Sequence, residues 1–203
     1  MSRILGLAGL LYPLLVSCGL LRFEPRIVAA LVVLLWVLRA WASRHGASQF
    51  PRWVGLSLAG SALVLATAAA LLNDELYLKL VPAVISACVL GIALISLRGE
   101  QSIVEWLARM QVDALSKEEV RYCRKVTWIW ATFLGLNAGW IARLALVGTT
   151  EAWATYTGLI FYVLAGVLFG IEFVYRHYRF RRYLGAPTDR ILRHWFPPHN
   201  ADY

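Results

Sequence analysis

Six stretches of this 203-residue sequence are long and apolar enough to cross a bilayer. A transmembrane helix needs about 20 mainly apolar residues to span about 30 Å of hydrocarbon. The stretches run from about residue 4 to 21, 27 to 41, 53 to 72, 76 to 97, 126 to 146 and 153 to 174. The second is short and carries Arg39 near its end, so it needs a thinned bilayer or a snorkelling arginine. The fourth is interrupted early by Lys79. Composition closes off the soluble readings: 60% of the residues are hydrophobic and only 16% charged, too few charges to cover a soluble particle. The apolar content excludes a disordered chain, and three cysteines exclude a disulfide scaffold. The expected fold is an all-α polytopic integral membrane protein, a single transmembrane domain with six transmembrane helices.

Charge sets the orientation. The net charge of +8 would point to nucleic acid in a soluble protein, but all of the basic residues except Arg39, Lys79 and Arg143 fall in the gaps between apolar runs. Sixteen of the 20 fall on one side when the N-terminus, the loop 39–52, the segment 98–125 and the tail 175–203 are grouped together. The other side holds Arg22, Arg26 and Lys79, with Arg143 inside span five near its outer end. The positive-inside rule then gives both termini in the cytoplasm, with membrane lipid and not nucleic acid as the general partner. Trp41, Trp53, Trp128, Trp130 and Trp153 lie at span ends, where indole rings favour the interface. Leu15-Val16-Ser17-Cys18-Gly19 also resembles a lipoprotein signal with an acylated cysteine; a transmembrane first span is the expectation kept.

Only residues 98–125 form a substantial loop. Ile103, Leu107 and Met110 recur at helical spacing between Glu100 and Gln111, and Glu105 and Arg109 suit an i,i+4 ion pair. The expectation is an amphipathic helix lying on the inner membrane face between spans four and five. Ser116-Lys117-Glu118-Glu119 has the capping-box pattern, so a new helix should start at Lys117 and run into span five. Arg109, Arg121, Arg124 and Lys125 would meet lipid headgroups or acidic partners. Past span six, Arg176, Arg179, Arg181 and Arg182 alternate with aromatic residues in a second basic collar, which Gly185-Ala186-Pro187 should end.

No catalytic motif, cofactor signature or metal-ligand spacing is present in the sequence. Three ionisable or polar residues inside the spans form the candidate intramembrane site: Glu172, Arg143 and Asn137. Glu172 can pair with Arg176, and Arg143 with Glu151, Asp74 or Glu75; Asn137 should find an interhelical hydrogen bond. Arg143 and Glu172 belong to opposite leaflets and make no relay. Ala131, Gly135 and Gly139 on span five and Gly166 and Gly170 on span six recur every four residues. Ala131 and Gly135 should lie level with Gly170 and Gly166, giving a close antiparallel hairpin or, alternatively, a homodimer face.

Ser102-Ile103-Val104-Glu105-Trp106-Leu107-Ala108-Arg109-Met110-Gln111, then Tyr122-Cys123-Arg124-Lys125-Val126-Thr127-Trp128-Ile129-Trp130, Asn137, and Gly166 to Arg176 carry a family resemblance. Over about residues 100–180 the chain resembles a family of small bacterial inner-membrane proteins, typically encoded among fatty-acid-synthase-like genes for aryl-polyene or xanthomonadin-type pigments. The resemblance implies a pathway and no particular reaction. Two functions follow as expectations. One is a non-enzymatic membrane platform for acyl carrier protein or synthase subunits. The other is a small carrier or flippase for a lipid-linked product. A transferase is the weakest reading, because no general base sits beside a recognisable nucleophile.

Overall fold

The computed structural model describes residues 74–110, 112 and 114–181, with isolated positions at 27 and between 60 and 72. Apart from those isolated positions, the first three expected spans lie outside the described residues, as does the tail from Arg182 onward. Every regular element among the described residues is helical. The elements are α1 (Glu75–Arg98), α2 (Ile103–Arg109), α3 (Lys117–Val147), α4 (Thr150–Thr155), a π turn (Tyr156–Ile160) and α5 (Phe161–Phe180). Three helical stretches are long and apolar enough to cross a membrane: α1, α3 and the continuous run Thr150–Phe180. The apolar stretches 76–97, 126–146 and 153–174 lie within them.

Local chemistry fixes the helix ends. Asp74 caps α1, its carboxylate accepting the Leu76 N–H at 2.8 Å. Ser116 and Glu119 close a full capping box at the start of α3: the Glu119 N–H donates to Ser116 Oγ at 3.2 Å, and the Ser116 N–H to Glu119 Oε2 at 2.7 Å. Between α3 and α4 only Gly148 and Thr149 intervene. A Cβ at Gly148 would stand 2.6 Å from the Leu144 carbonyl oxygen, so this turn requires glycine. Thr149 then caps α4. At the other end α5 stops at Phe180, with Arg181 in the left-handed region (φ 45°) and its N–H on the His177 carbonyl. The helix therefore ends on an αL cap before Gly185-Ala186-Pro187 is reached.

The closest packing is between α1 and α3. Leu78, Ala83, Ile141, Leu144 and Ala145 are buried together with Ala69 and Trp153 in one cluster near the α3–α4 turn. Trp153 is fully buried, and its indole N–H donates to the Lys79 carbonyl at 3.0 Å. Lys79, the charge that interrupts span four, is itself buried; its ammonium reaches Glu75 at 2.6 Å and Thr150 Oγ1 at 2.9 Å. An intramembrane lysine near a helix end is thus paired and also ties α1 to α4. Pro82 removes one rung of α1, and the Ser86 hydroxyl donates to the Pro82 carbonyl at 2.9 Å.

By contrast α5 has no buried residue, and Val163, Val167, Phe169 and Ile171 are all exposed. Apolar side chains facing outward on a long helix fit a hydrocarbon surround rather than water.

The loop helix α2 is shorter than the expected 100–111 segment. Ser102 caps it, its Oγ accepting the Glu105 N–H, and the Ile103 N–H donates to Ser96 Oγ at 3.0 Å. Glu105 is buried against the protein, while Leu107 and Met110 are exposed. The Arg109 guanidinium follows Glu105, donating to its Oε1 at 2.8 and 3.0 Å, which makes burial of the carboxylate tolerable.

Candidate functional site

α3 and α5 run antiparallel and meet at points. Near their shared end the Tyr122 ring stacks on Tyr175 (centroids 5.8 Å) and meets Phe180 edge-on (5.2 Å). The Tyr122 hydroxyl donates to Glu172 Oε1 at 3.3 Å, and Arg179 bridges to Glu118 at 3.2 Å. Further along, Phe133 stacks on Phe161 at 6.0 Å. Alongside the Tyr122 clasp the helices stand apart and flank an open cleft of about 540 Å³. Its walls change character along the helix axes. Arg121, Lys125 and Arg179 line the end near Tyr122; Val126, Ile129, Trp130, Leu168 and Ile171 line the deeper part. Charge at one end and hydrocarbon at the other make an amphipathic slot, within the size range of small-molecule sites.

The expected headgroup arginines separate into several kinds. Arg109 is held by Glu105. Arg124 is a cap: its guanidinium donates to the Leu97 carbonyl and, at 3.3 Å, to the Gly99 carbonyl, closing the end of α1. It is therefore engaged within the protein, not presented to headgroups. Arg176 lies 3.6 Å from Glu172 and over the Phe173 ring. Arg179 is paired with Glu118, and Arg181 forms the left-handed cap. Arg182 lies outside the described residues. Arg121 and Lys125 are exposed and make no ion pair among the described residues.

The three intramembrane candidates do not converge. Asn137 is 2% exposed, donating to Ser86 Oγ at 2.9 Å and accepting from the Tyr156 hydroxyl at 3.0 Å. That network joins α1, α3 and the π turn and reads as structural glue. Arg143 is exposed and lies over the Trp140 ring at 5.2 Å; none of Glu151, Asp74 or Glu75 bridges to it. Glu172 alone faces the cleft.

The small-residue faces also part company with the hairpin expectation. A Cβ at Gly135 would touch Leu90 of α1 at 3.5 Å, and one at Gly139, Gly166 or Gly170 would meet nothing within 4 Å. Ala131 is buried. The Tyr122–Tyr175 and Phe133–Phe161 contacts set a register that puts residue 131 opposite residues 163–166 instead of Gly170. Bulky aromatic clasps hold the backbones too far apart for glycine faces to meet, so close packing falls between α3 and α1.

Tyr122, Glu118, Ile129, Leu168 and Ile171 were not readable as site residues, although Glu118, Tyr122, Lys125 and Ile129 recur at helical spacing along one face. Among the described residues no group of three His, Cys, Asp or Glu side chains is placed to hold a metal ion. Comparison with protein-family models, curated proteins and solved structures finds no match, so the chemistry of the cleft has to be read from its own residues.

Proposed function

We propose that the protein is a non-enzymatic component of a bacterial inner membrane, with six spans and both termini in the cytoplasm. Its basic inner face holds acidic partners, acyl carrier protein or synthase subunits, where a polyene lipid or pigment is made. The observation that carries this reading is a set of cations at one end of the helices. Arg98, Lys117, Arg121 and Lys125 are exposed and form no ion pair among the described residues. Unpaired charge at one face supplies steering and orientation toward an acidic partner more than raw affinity.

Capture of acyl carrier protein or synthase subunits from native membranes in mild detergent tests the platform. Capture at low salt, lost at high salt and in the R98Q/K117Q/R121Q/K125Q variant, is the expected outcome. If neither kind of partner accompanies the unmodified protein at low salt, the reading fails. Orientation has its own test at Gln101, which is exposed. A Gln101→Cys variant lacking the native cysteines should resist an impermeant thiol reagent outside intact cells and react once the membrane is opened. Labelling from outside overturns the topology and the platform with it.

A second reading, a small carrier or flippase for a lipid-linked product, draws on the cleft itself. Ile171 and Tyr175 in its wall are exposed, so the slot opens onto the surroundings, and a homodimer would enclose it. Glu172→Gln should then reduce product exposure at the outer face. Unchanged export at normal protein level removes this reading.

A further inference from the structure

We infer that the α3–α5 cleft is a discrete site for one anionic phospholipid of the adjoining leaflet, which would engage Arg121 and Lys125 and leave Arg98 and Lys117 to the proposed protein partner. Depth is the first ground. α3 has 31 residues, about 46 Å at 1.5 Å per residue, against about 30 Å of hydrocarbon. Counting about 20 residues back from Val147 places the hydrocarbon boundary near Thr127. Lys125 then lies about half a turn and Arg121 nearly two turns beyond it, toward the lipid phosphates, while Ile129 and Leu168 lie at acyl-chain depth.

Charge bookkeeping is the second ground. Both carboxylates in the wall are engaged, Glu118 by Arg179 and Glu172 by the Tyr122 hydroxyl and Arg176. What remains is the uncompensated pair Arg121 and Lys125, four residues apart on one face of α3. A phosphodiester fits between them, with one acyl chain along the apolar walls past Ile129 and Trp130. A soluble anion would use only the charged end, and a neutral lipid only the apolar end; the lining offers both.

The test uses the full chain in nanodiscs of phosphatidylcholine with a minority of phosphatidylglycerol, released gently and read by native mass spectrometry. One retained phosphatidylglycerol per chain is expected. R121Q/K125Q should lower that retention about tenfold and leave phosphatidylcholine adducts unchanged. R98Q/K117Q, an equal loss of charge outside the cleft, should leave retention as it was. Ile171→Trp, which fills the slot from an exposed position, should displace the lipid while circular dichroism stays unchanged; Leu168→Trp, one turn deeper on the same wall, gives the same reading. Equal loss in both charge variants would reduce the effect to diffuse attraction and overturn the site. So would equal retention of the two lipids, or displacement by soluble glycerol 3-phosphate, which would mark a bare phosphate site.

Discussion

Against α1, α3 is packed along its length by small and buried side chains; against α5 it is held at separated clasps. The first interface contains Ala83, Ala131, Ile141 and Leu144 in the interior, with the Ser86–Asn137 hydrogen bond between the helices. The second contains aromatic stacks around Tyr122 and Phe133, one bridge from Glu118 to Arg179, and the open cleft alongside the Tyr122 clasp. In hydrocarbon, apolar burial gives little reason for helices to associate, since lipid tails are as apolar as leucine. Shape fit and polar contacts decide. The α1–α3 pair has both, and α5 is free to keep a slot beside it.

Substitutions that break the tight side should cost most. Trp153→Ala empties a fully buried site and removes the bond to the Lys79 carbonyl. It should destabilise the protein by about 3 kcal/mol, read from unfolding in mixed micelles. Arg124→Ala uncaps the end of α1 at Leu97 and Gly99, and about 2 kcal/mol should be lost there. Faster amide exchange at Arg98 to Glu100 would locate the damage; unchanged exchange would deny Arg124 this role.

Asn137→Leu sharpens the comparison, because the network touches both α1 and the π turn. Interhelical hydrogen bonds in membranes are worth about 0.6 kcal/mol on average, so a loss of about 1 kcal/mol is expected for the pair of bonds. A double-mutant cycle with Tyr156→Phe measures the share carried by the turn; zero coupling would contradict the geometry. On the loose side, Glu118→Gln removes an exposed bridge and should change stability by less than about 0.5 kcal/mol. A larger effect would mean the clasp matters more than its exposure implies.

Local signals were the legible part of this architecture. Apolar length marks the helices, and Ser116 with Glu119 marks the start of α3 because a cap is decided within four residues. Ser102-Ile103-Val104-Glu105 has the same spacing and would have placed the start of α2 just as well. What Glu105 faces was not legible: its burial depends on Arg109 and on the wall that α3 presents. Nor could Arg124 be told from Arg121 and Lys125 by sequence. All three belong to one basic run, and only the position of α1 turns one of them into a helix cap. The amphipathic cleft was half visible, since its cations and Glu172 stood out while its apolar wall looked like any lipid-facing surface.

The π turn at Tyr156–Ile160 gives the sequence a sensitivity that hydropathy does not register. The Phe161 N–H bonds to the Tyr156 carbonyl, so this turn holds one residue more than an α turn. All of α5 is thereby set about 100° away from where an uninterrupted helix from Thr150 would put it. Deleting Gly158 would only return the turn to α geometry and leave Glu172 and Tyr175 facing Tyr122, whereas deleting Val163, outside the turn, would turn both off Tyr122 with the apolar length almost unchanged. Outside that turn a one-residue gap is a phase error, with consequences for facing that few substitutions along the helix could match.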